Sequence, residues 1–296
     1  MISRRGLWPV GAGLAGLVVM GRAGFAVAPA ALQDRFVEEL KRLENQTGGR
    51  LGVALLDAGT GQHVGHRMDE PFPMCSTFKV LAAGALLQGV DAGKEDLARR
   101  IYFNEADLVA HSPETRKHVG PTGMTVAELC KAAITLSDNT AGNLLLASIG
   151  GPQGLTAFAR RLGDEVTRLD RIETELNESV PGDPRDTTTP SAMAANLRAL
   201  ALGDVLSVKS RTQLVGWLVA NTTGDKRLCA GLPAGWRAGD KTGTGERGTA
   251  NDVAVIWPPD RAPFVVTAYL TGATVPADRQ NAVMAAIGRA VTTVLA

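Results

Sequence analysis

The run Val80-Leu81-Ala82-Ala83-Gly84-Ala85-Leu86-Leu87 constrains the fold more than any other stretch. It contains no proline, is long enough for a helix, and is apolar on nearly every side. Such a helix has no face to offer water, so other elements must wrap it. Pro71 and Pro73 end whatever precedes it, which puts Ser76-Thr77-Phe78-Lys79 at or near its N-terminus. Lys79 lies three residues after Ser76 and therefore shares its helical face. A hydroxyl then has an amine within reach, beside unpaired backbone N–H groups and the positive end of a helix dipole. Serine is a weak nucleophile until a neighbouring base takes its proton, and a desolvated lysine can be that base. A helix cap at Ser76 and a surface charge at Lys79 would account for the tetrapeptide by itself.

The chain has 296 residues, 45% hydrophobic and 21% charged, a soluble globular composition with room for one large or two modest domains. A net charge of +1 gives no ground for nucleic acid or an anionic membrane as partner. Its four histidines are scattered, and Cys75, Cys130 and Cys229 neither cluster with them nor form a disulfide framework. No metal and no cofactor are expected. Ser3-Arg4-Arg5, an apolar centre over residues 6–21 and small-residue sites at Ala26-Val27-Ala28 or Ala28-Pro29-Ala30 read as an export signal. The apolar centre is too short and too glycine-rich to span a bilayer comfortably. The expectation is a signal over residues 1–30, taking the general or the twin-arginine route, and an exported catalytic unit over 31–296.

Leu32, Phe36, Leu40 and Leu43 recur at helical spacing before Gly48-Gly49. Leu51, Val53 and Leu55 alternate as a strand, and a turn at 57–61 leads into a second strand over 62–67. Residues 91–123 are polar and irregular. Thr125-Val126-Ala127-Glu128 is a capping box before a helix, and Ser137-Asp138-Asn139 interrupts ahead of helices at 140–149 and 153–162. Residues 170–190 show no period and carry Pro181, Pro184 and Pro190; a loop this long in a compact domain usually has a function. Helices at 191–202 and 207–219 follow. Strands then return, one ending at Lys241-Thr242-Gly243, then 252–257 and 263–270, before an amphipathic helix at 278–295. Strands at both ends with helices between predict an α+β fold. One antiparallel sheet would come from about 31–70 plus 225–296, flanked by helices, beside an all-α part of about 71–224. The cleft between the two is the natural place for an active site.

Three short motifs occur in order: Ser76-x-x-Lys79, Ser137-Asp138-Asn139 and Lys241-Thr242-Gly243. Each alone fits a structural part, a cap, a polar linker or a glycine-rich turn. Together they are the trio of class A β-lactamases and penicillin-binding proteins, and the chain resembles these serine enzymes. Arg171-Ile172-Glu173-Thr174-Glu175-Leu176-Asn177 is similar to the Ω-loop signature Arg-x-Glu-x-x-Leu-Asn of class A β-lactamases. The resemblance covers essentially the whole exported part, through Thr249-Ala250-Asn251-Asp252.

The resemblance implies a β-lactamase-like fold and hydrolysis of β-lactam antibiotics through an acyl-serine. It makes Ser76 the nucleophile, the N–H groups of Ser76 and Thr244 the oxyanion hole, and Lys79 and Glu173 rival acylation bases. Ser137 would pass a proton to the departing lactam nitrogen, and Asn139 would bind the acyl side chain's amide. Glu173 and Asn177 would hold the deacylating water. Lys241, Thr242, Gly243 and Thr244 would form the wall that binds the substrate carboxylate. Arg171 would pair with Asp186 to close the loop, and a cis peptide is expected at Glu173–Thr174, as relatives often have one there. Many relatives carry an arginine where Ala250 stands; Arg227 resembles the substitute found in other members. His111 aligns with the aromatic residue at the cleft mouth of many relatives. Cys130 matches a family disulfide position whose partner aligns with Ala83, which implies a buried free thiol. Cys75 precedes the nucleophile as in some carbapenem-hydrolysing members, but Gly245 takes the partner position, so no bridge is expected. The implied protein is a monomer, periplasmic or secreted, free of the membrane once its signal is removed, and acting on small-molecule β-lactams. A D-alanyl-D-alanine peptidase and a sensor domain that stays acylated are the rival readings, and Glu173 and Asn177 argue against both.

Overall fold

In the computed structural model, residues 30–295 are described, so the expected export signal lies, up to residue 29, outside the described residues. The first half runs helix α1 (Ala30–Asn45), strands β1 (Arg50–Asp57), β2 (His63–His66) and β3 (Phe72–Pro73), helix α2 (Phe78–Asp91), and strands β4 (Arg100–Ile101) and β5 (Met124–Thr125). Helices α3 (Val126–Thr135), α4 (Asn139–Ser148) and α5 (Gly151–Arg161) follow, then strand β6 (Thr187–Thr188) and helices α6 (Pro190–Ala201) and α7 (Val208–Val219). Strands β7 (Arg237–Gly245), β8 (Thr249–Trp257) and β9 (Phe264–Thr271) and helix α8 (Ala277–Leu295) complete it.

The five long strands form one antiparallel sheet in the order β2-β1-β9-β8-β7. The two ends of the chain meet in its centre, where β1 pairs β9 from Arg50↔Thr271 to Asp57↔Phe264. The period of two sends alternate side chains to opposite faces. Leu51, Val53 and Leu55 of β1, with Phe264, Val266, Ala268 and Leu270 of β9, pack under α1 and α8 against Phe36, Leu40, Met284 and Ile287. Ala54, Leu56, Val253, Val255, Val265 and Tyr269 face the other way, into a core shared with α2 and its neighbours. A sheet covered on both faces needs apolar side chains at nearly every position. Strand β8 is buried from Thr249 to Ile256 and apolar throughout Val253–Ile256, while its polar Thr249, Asn251 and Asp252 are buried at the other end.

Helix α2 is enclosed as its composition demands, touching α3, α4, α5, α6 and α7. Phe78, Val80, Leu81, Ala82, Ala83 and Leu87 have no exposed surface. Removing a leucine buried in this way costs about 2–5 kcal/mol. Gly84 lets α6 approach: a Cβ there would stand 2.8 Å from Leu200 Cδ1. Lys79, the only cation of α2, is completely buried as well. Since burying an unpaired charge is very unfavourable, the helix must bring it to compensating groups.

Local signals behave as chemistry predicts. Thr125 and Glu128 form a reciprocal box, Glu128 N donating to Thr125 Oγ1 at 3.2 Å and Thr125 N to Glu128 Oε2 at 2.7 Å. Two expectations need correction. Residues 91–123 are not wholly irregular, since β4 pairs with β5 and single helical turns occupy Glu105–Asp107 and Thr115–Lys117. The strand carrying Lys241 runs on to Gly245, and β8 begins at Thr249 rather than Asp252. Cross-strand pairs Gly243↔Asn251, Thr244↔Ala250 and Gly245↔Thr249 hold that end in the ladder, where neighbours outweigh the weak strand preference of glycine. No helix among the described residues is long and apolar enough to cross a membrane.

Candidate active site

Ser76 sits in a single helical turn, Cys75–Thr77, that leads directly into α2. Cys75 takes a positive φ of 45°, which swings the chain from β3 into the turn. Thr77 anchors it by donating its hydroxyl to Met74 O at 2.8 Å, with Tyr269 OH 3.2 Å away. Strand β7 lies directly alongside: a Cβ on Gly243 would stand 2.8 Å from Met74 O and 3.2 Å from Thr77 Cγ2. Only glycine at that position lets the Lys241–Thr244 wall close on the turn that carries Ser76.

Ser76 Oγ donates to Glu173 Oε1 at 2.9 Å and accepts from Lys79 Nζ at 2.8 Å. Lys79 Nζ also reaches Asn139 Oδ1 at 2.7 Å, Ser137 O at 2.9 Å and Glu173 Oε1 at 2.9 Å. Neither the Lys79 nor the Glu173 side chain has exposed surface. Burial lowers the proton affinity of Lys79, and the Glu173 carboxylate opposes that effect. The arrangement can draw the proton from Ser76 toward either partner.

Helix α4 and the break before it supply two of these contacts, from Asn139 and Ser137, because Asp138 caps the helix. Asp138 is fully buried and accepts from Ala141 N, Glu114 N and Thr115 N, each at 2.9 Å. That fixes the break in which Ser137 adopts a φ of 56° and turns toward the lysines. Ser137 Oγ accepts from Lys241 Nζ at 3.0 Å. Burial, and then repulsion from Lys79, lowers the Lys241 amine well below the usual lysine range. Asn139 Nδ2 donates to Ala110 O at 2.9 Å, while its N–H donates to His111 O at 2.9 Å. His111 itself is exposed at the rim, with φ 60°.

The loop over residues 170–190 is held at both ends. Arg171 Nε donates to Asp186 Oδ2 at 2.6 Å, and Asp186 Oδ1 accepts from the N–H groups of Asp170 and Arg171 at 2.8 and 2.9 Å. Arg171 also pairs with Glu178 at 2.7 Å. The Glu173–Thr174 peptide is cis, as the family likeness led us to expect. Asn177 Nδ2 donates to Glu173 Oε2 at 2.5 Å, and Asn177 Oδ1 is buried without a protein partner.

Arg227 is 9% exposed and its guanidinium spans two strands. It donates to Gly243 O at 2.8 Å, Asn251 O at 2.6 Å, Thr244 Oγ1 at 2.8 Å and Asn281 Oδ1 at 3.1 Å. One of its five N–H groups is left over. Ala250 lies directly across the ladder from Thr244, so the cation beside Thr244 comes from Arg227. Burial lowers its proton affinity, against the carboxylates of Asp252 and Asp240, yet an arginine keeps its charge.

All the expected site residues therefore converge except Arg171 and Asp186, which pair across the two ends of the loop and hold it. Sequence reading missed Asn143, whose amide brackets Glu173 by accepting from Glu173 N at 2.8 Å and donating to Glu173 O at 2.9 Å. An asparagine one turn after Asn139 in an otherwise apolar helix was the available signal. It also missed the buried pair Asp240 and Asp252, where burial raises both carboxyl groups, reinforced at Asp252 by the charge of Asp240 and opposed at Asp240 by a hydrogen bond with Asp252. Cys75, Cys130 and Cys229 are all free thiols, in keeping with the missing partners at Gly245 and Ala83. Burial pushes the Cys75 thiol up to about 12. Among the described residues no group of three or more potential metal ligands occurs.

Comparison with known proteins covers nearly all of the described chain. The profile of the beta-lactamase enzyme family matches residues 35–295. Beta-lactamase AST-1 of Nocardia asteroides is 53% identical over 271 residues, covering 91% of this chain and 86% of that protein. Beta-lactamase Toho-1 of Escherichia coli is 51% identical over 255 residues, covering 86% and 87%. A solved structure of the class A beta-lactamase of the last common ancestor of Gram-negative bacteria (GNCA4) superposes with a TM-score of 0.87 at 64% identity, covering 90% of this chain and 100% of that one. An ordered motif set, a shared fold and half or more of the residues in common leave one assignment: the chain belongs to the beta-lactamase enzyme family, in its class A branch.

Proposed function

We propose that this class A β-lactamase opens the lactam ring by attack of Ser76 Oγ and releases the product by a water activated at Glu173. Hydrolysis of β-lactam antibiotics, and with it resistance to them, is the activity of the chain; the roles of its residues are our assignment. One observation carries it: the Ser76 hydroxyl lies between Lys79 Nζ at 2.8 Å and Glu173 Oε1 at 2.9 Å, both side chains fully buried.

In acylation, the Ser76 proton passes to Glu173 or Lys79 as Oγ bonds to the lactam carbonyl carbon. The N–H groups of Ser76 and Thr244 stabilise the oxyanion. The carbon–nitrogen bond then breaks, and Ser137, between the two lysine amines, hands its proton to the departing nitrogen and is reprotonated through Lys79 with the proton taken from Ser76, which resets the base. Asn139 orients the acyl side chain through its remaining amide N–H. Lys241, Thr242 and Thr244 hold the substrate carboxylate, with Gly243 admitting the wall and Arg227 supplying charge behind Thr244. In deacylation, water sits between Glu173 and the free Oδ1 of Asn177. Glu173 takes its proton, hydroxide adds to the ester carbon, and Ser76 leaves as Glu173 returns that proton to its oxygen. One water is consumed per ring opened. Arg171 and Asp186 keep the loop closed so that Glu173 stays in place.

Residues 1–30 serve as an export signal in this reading, and residues 31–296 work as a monomer in the periplasm or outside the cell, without cofactor. The carboxylate at hydrogen-bond distance from the nucleophile favours a hydrolase over a peptidase or a sensor that stays acylated. Ser76→Ala should fold normally and take up no label from a tagged penicillin in intact-mass spectra. A covalent adduct on that variant would falsify the assignment.

A further inference from the structure

Strand β7 meets the α7–β7 connection at an unusual pair of hydroxyls. Thr223 Oγ1 and Thr242 Oγ1 are 2.5 Å apart. Thr242 is 5% exposed, and Thr223 is half-buried beside it. Each hydroxyl has a single proton, so the direction of every bond in this group can be counted. Asn221, 8% exposed, sets the count. Its Oδ1 accepts from Thr223 N at 3.0 Å, and its Nδ2 donates to Asp240 Oδ2 at 2.7 Å. A backbone N–H only donates, so the amide orientation is fixed on the Thr223 side independently of Asp240. Asn221 Oδ1 then also accepts the Thr223 hydroxyl, 2.9 Å away. The one proton of Thr223 is engaged, and Thr223 turns lone pairs toward Thr242. With that proton on Asn221, the bond between the two hydroxyls runs from Thr242 to Thr223.

We propose that Thr223 is a positioning residue for the substrate carboxylate, acting through Thr242 as a two-position proton switch. An incoming carboxylate offers only acceptors, so Thr242 must turn its proton outward to bind it. Two bare oxygens 2.5 Å apart would then repel, unless Thr223 swings its own proton from Asn221 to Thr242. Asn221 tolerates the loss because Thr223 N still donates to it. The bound chain runs Thr223 O–H to Thr242 O–H to carboxylate, and no proton is gained or lost. Bonds in such a chain polarise one another, so Thr242 becomes a stronger donor to the anion than an isolated hydroxyl. A neutral group in the carboxylate's place gives the switch little reason to turn. The hydroxyl at residue 223 thus contributes to selectivity for anionic lactams without touching them.

The inference rests on the carboxylate role proposed for Lys241, Thr242 and Thr244, and its test separates the two. The measurement is kcat/KM for a penicillin and for its methyl ester, on the wild type, Thr223→Val and Thr223→Ser. Thr223→Val keeps the shape and removes the hydroxyl; its loss on the acid should be about five- to tenfold, the range of one modest hydrogen bond. The loss should appear in KM rather than kcat, and should stay below about twofold on the ester, where no charge-assisted bond is made. Thr223→Ser should match the wild type on both substrates. A wild type that does not prefer acid to ester would overturn the carboxylate site itself. A wild type that does, with a Thr223→Val variant showing the same acid-to-ester ratio, would overturn the switch alone. So would a Thr223→Ser variant as impaired as Thr223→Val.

Discussion

Replacing Glu173 with glutamine separates the two halves of the reaction. The change is nearly isosteric, and the backbone of residue 173 stays bracketed by Asn143 at 2.8 and 2.9 Å. The amide carbonyl can still accept from Ser76, so the loop should hold its shape. Two things are lost, the base that faces the deacylating water and the counter-charge of Lys79. Losing a positioned base slows a step by about 10²–10⁴-fold, or about 3–5 kcal/mol in its barrier. Lys79 responds in a way the structure defines. Burial already lowers its proton affinity, and Glu173 is the largest opposing influence. Without that carboxylate the amine gives up its proton more readily, which avoids leaving an unpaired buried charge, a situation worth about 3–5 kcal/mol. A neutral Lys79, 2.8 Å from Ser76 Oγ, remains able to take the nucleophile's proton. Acylation should therefore survive while deacylation stalls. Intact-mass spectra after mixing Glu173→Gln with a good penicillin should show an adduct on Ser76 that outlives the wild-type intermediate by about 10²–10⁴-fold. Turnover at the wild-type rate would make Glu173 a structural loop residue. Acylation slowed as much as deacylation, so that no adduct builds up, would remove Lys79 as an acylation base.

Two further outcomes are expected from substitutions outside the catalytic pair. Arg227→Ala removes the cation behind Thr244 and should lower kcat/KM by about ten- to a hundredfold, the effect of one charge-assisted contact of about 1.5–3 kcal/mol; unchanged values for both penicillins and cephalosporins would leave Arg227 as a clamp between β7 and β8 only. Glu44 accepts from Arg67 Nε at 2.7 Å, Leu51 N at 2.9 Å and lies 2.8 Å from His66 Nε2, tying α1 to the sheet. Burial pushes its carboxyl up, but the bonds from Arg67, Leu51 and His66 outweigh that and hold it at about 2 against an ordinary 4.5. Because the folded value is the lower one, this stability is present above 4.5 and disappears as pH falls toward 2. It amounts to at most about 3 kcal/mol, roughly half that once solvent screening is allowed for. Denaturant titrations should show Glu44→Gln less stable than wild type near neutral pH, with the gap closing through that acid window; a gap independent of pH would contradict the linkage.

Much of the architecture was legible because it depends on local periodicity. The alternation of Leu51, Val53 and Leu55, the capping box at Thr125 and Glu128, and the all-round apolar α2 are statements about neighbours in sequence, and each appears as expected. The position of Ser76 ahead of α2 follows from Pro73 and the same helical run. The three ordered motifs and the Ω-loop signature pointed to the family because reacting groups must recur in fixed types and order. What the sequence could not supply is how far apart separate elements end up. Strand β7 reads as ending at Gly243, yet pairing with β8 carries it on to Gly245, since a ladder bond depends on the facing strand. Asn143, Asn221 and Thr223 look like ordinary polar residues of a helix and a turn until packing sets them against Glu173, Asp240 and Thr242. Arg227 could be matched to a substitute arginine from its context, but its reach to Gly243, Thr244 and Asn251 exists only once β7 and β8 are paired. From the sequence alone one can determine which groups are present and which segments form helix or strand, because those are short-range matters of sterics and solvation. The contact of the Thr223 and Thr242 hydroxyls, the burial of Lys79 and the spacing of Ser76 between amine and carboxylate were decided by the tertiary structure, because each depends on residues distant in sequence being packed together.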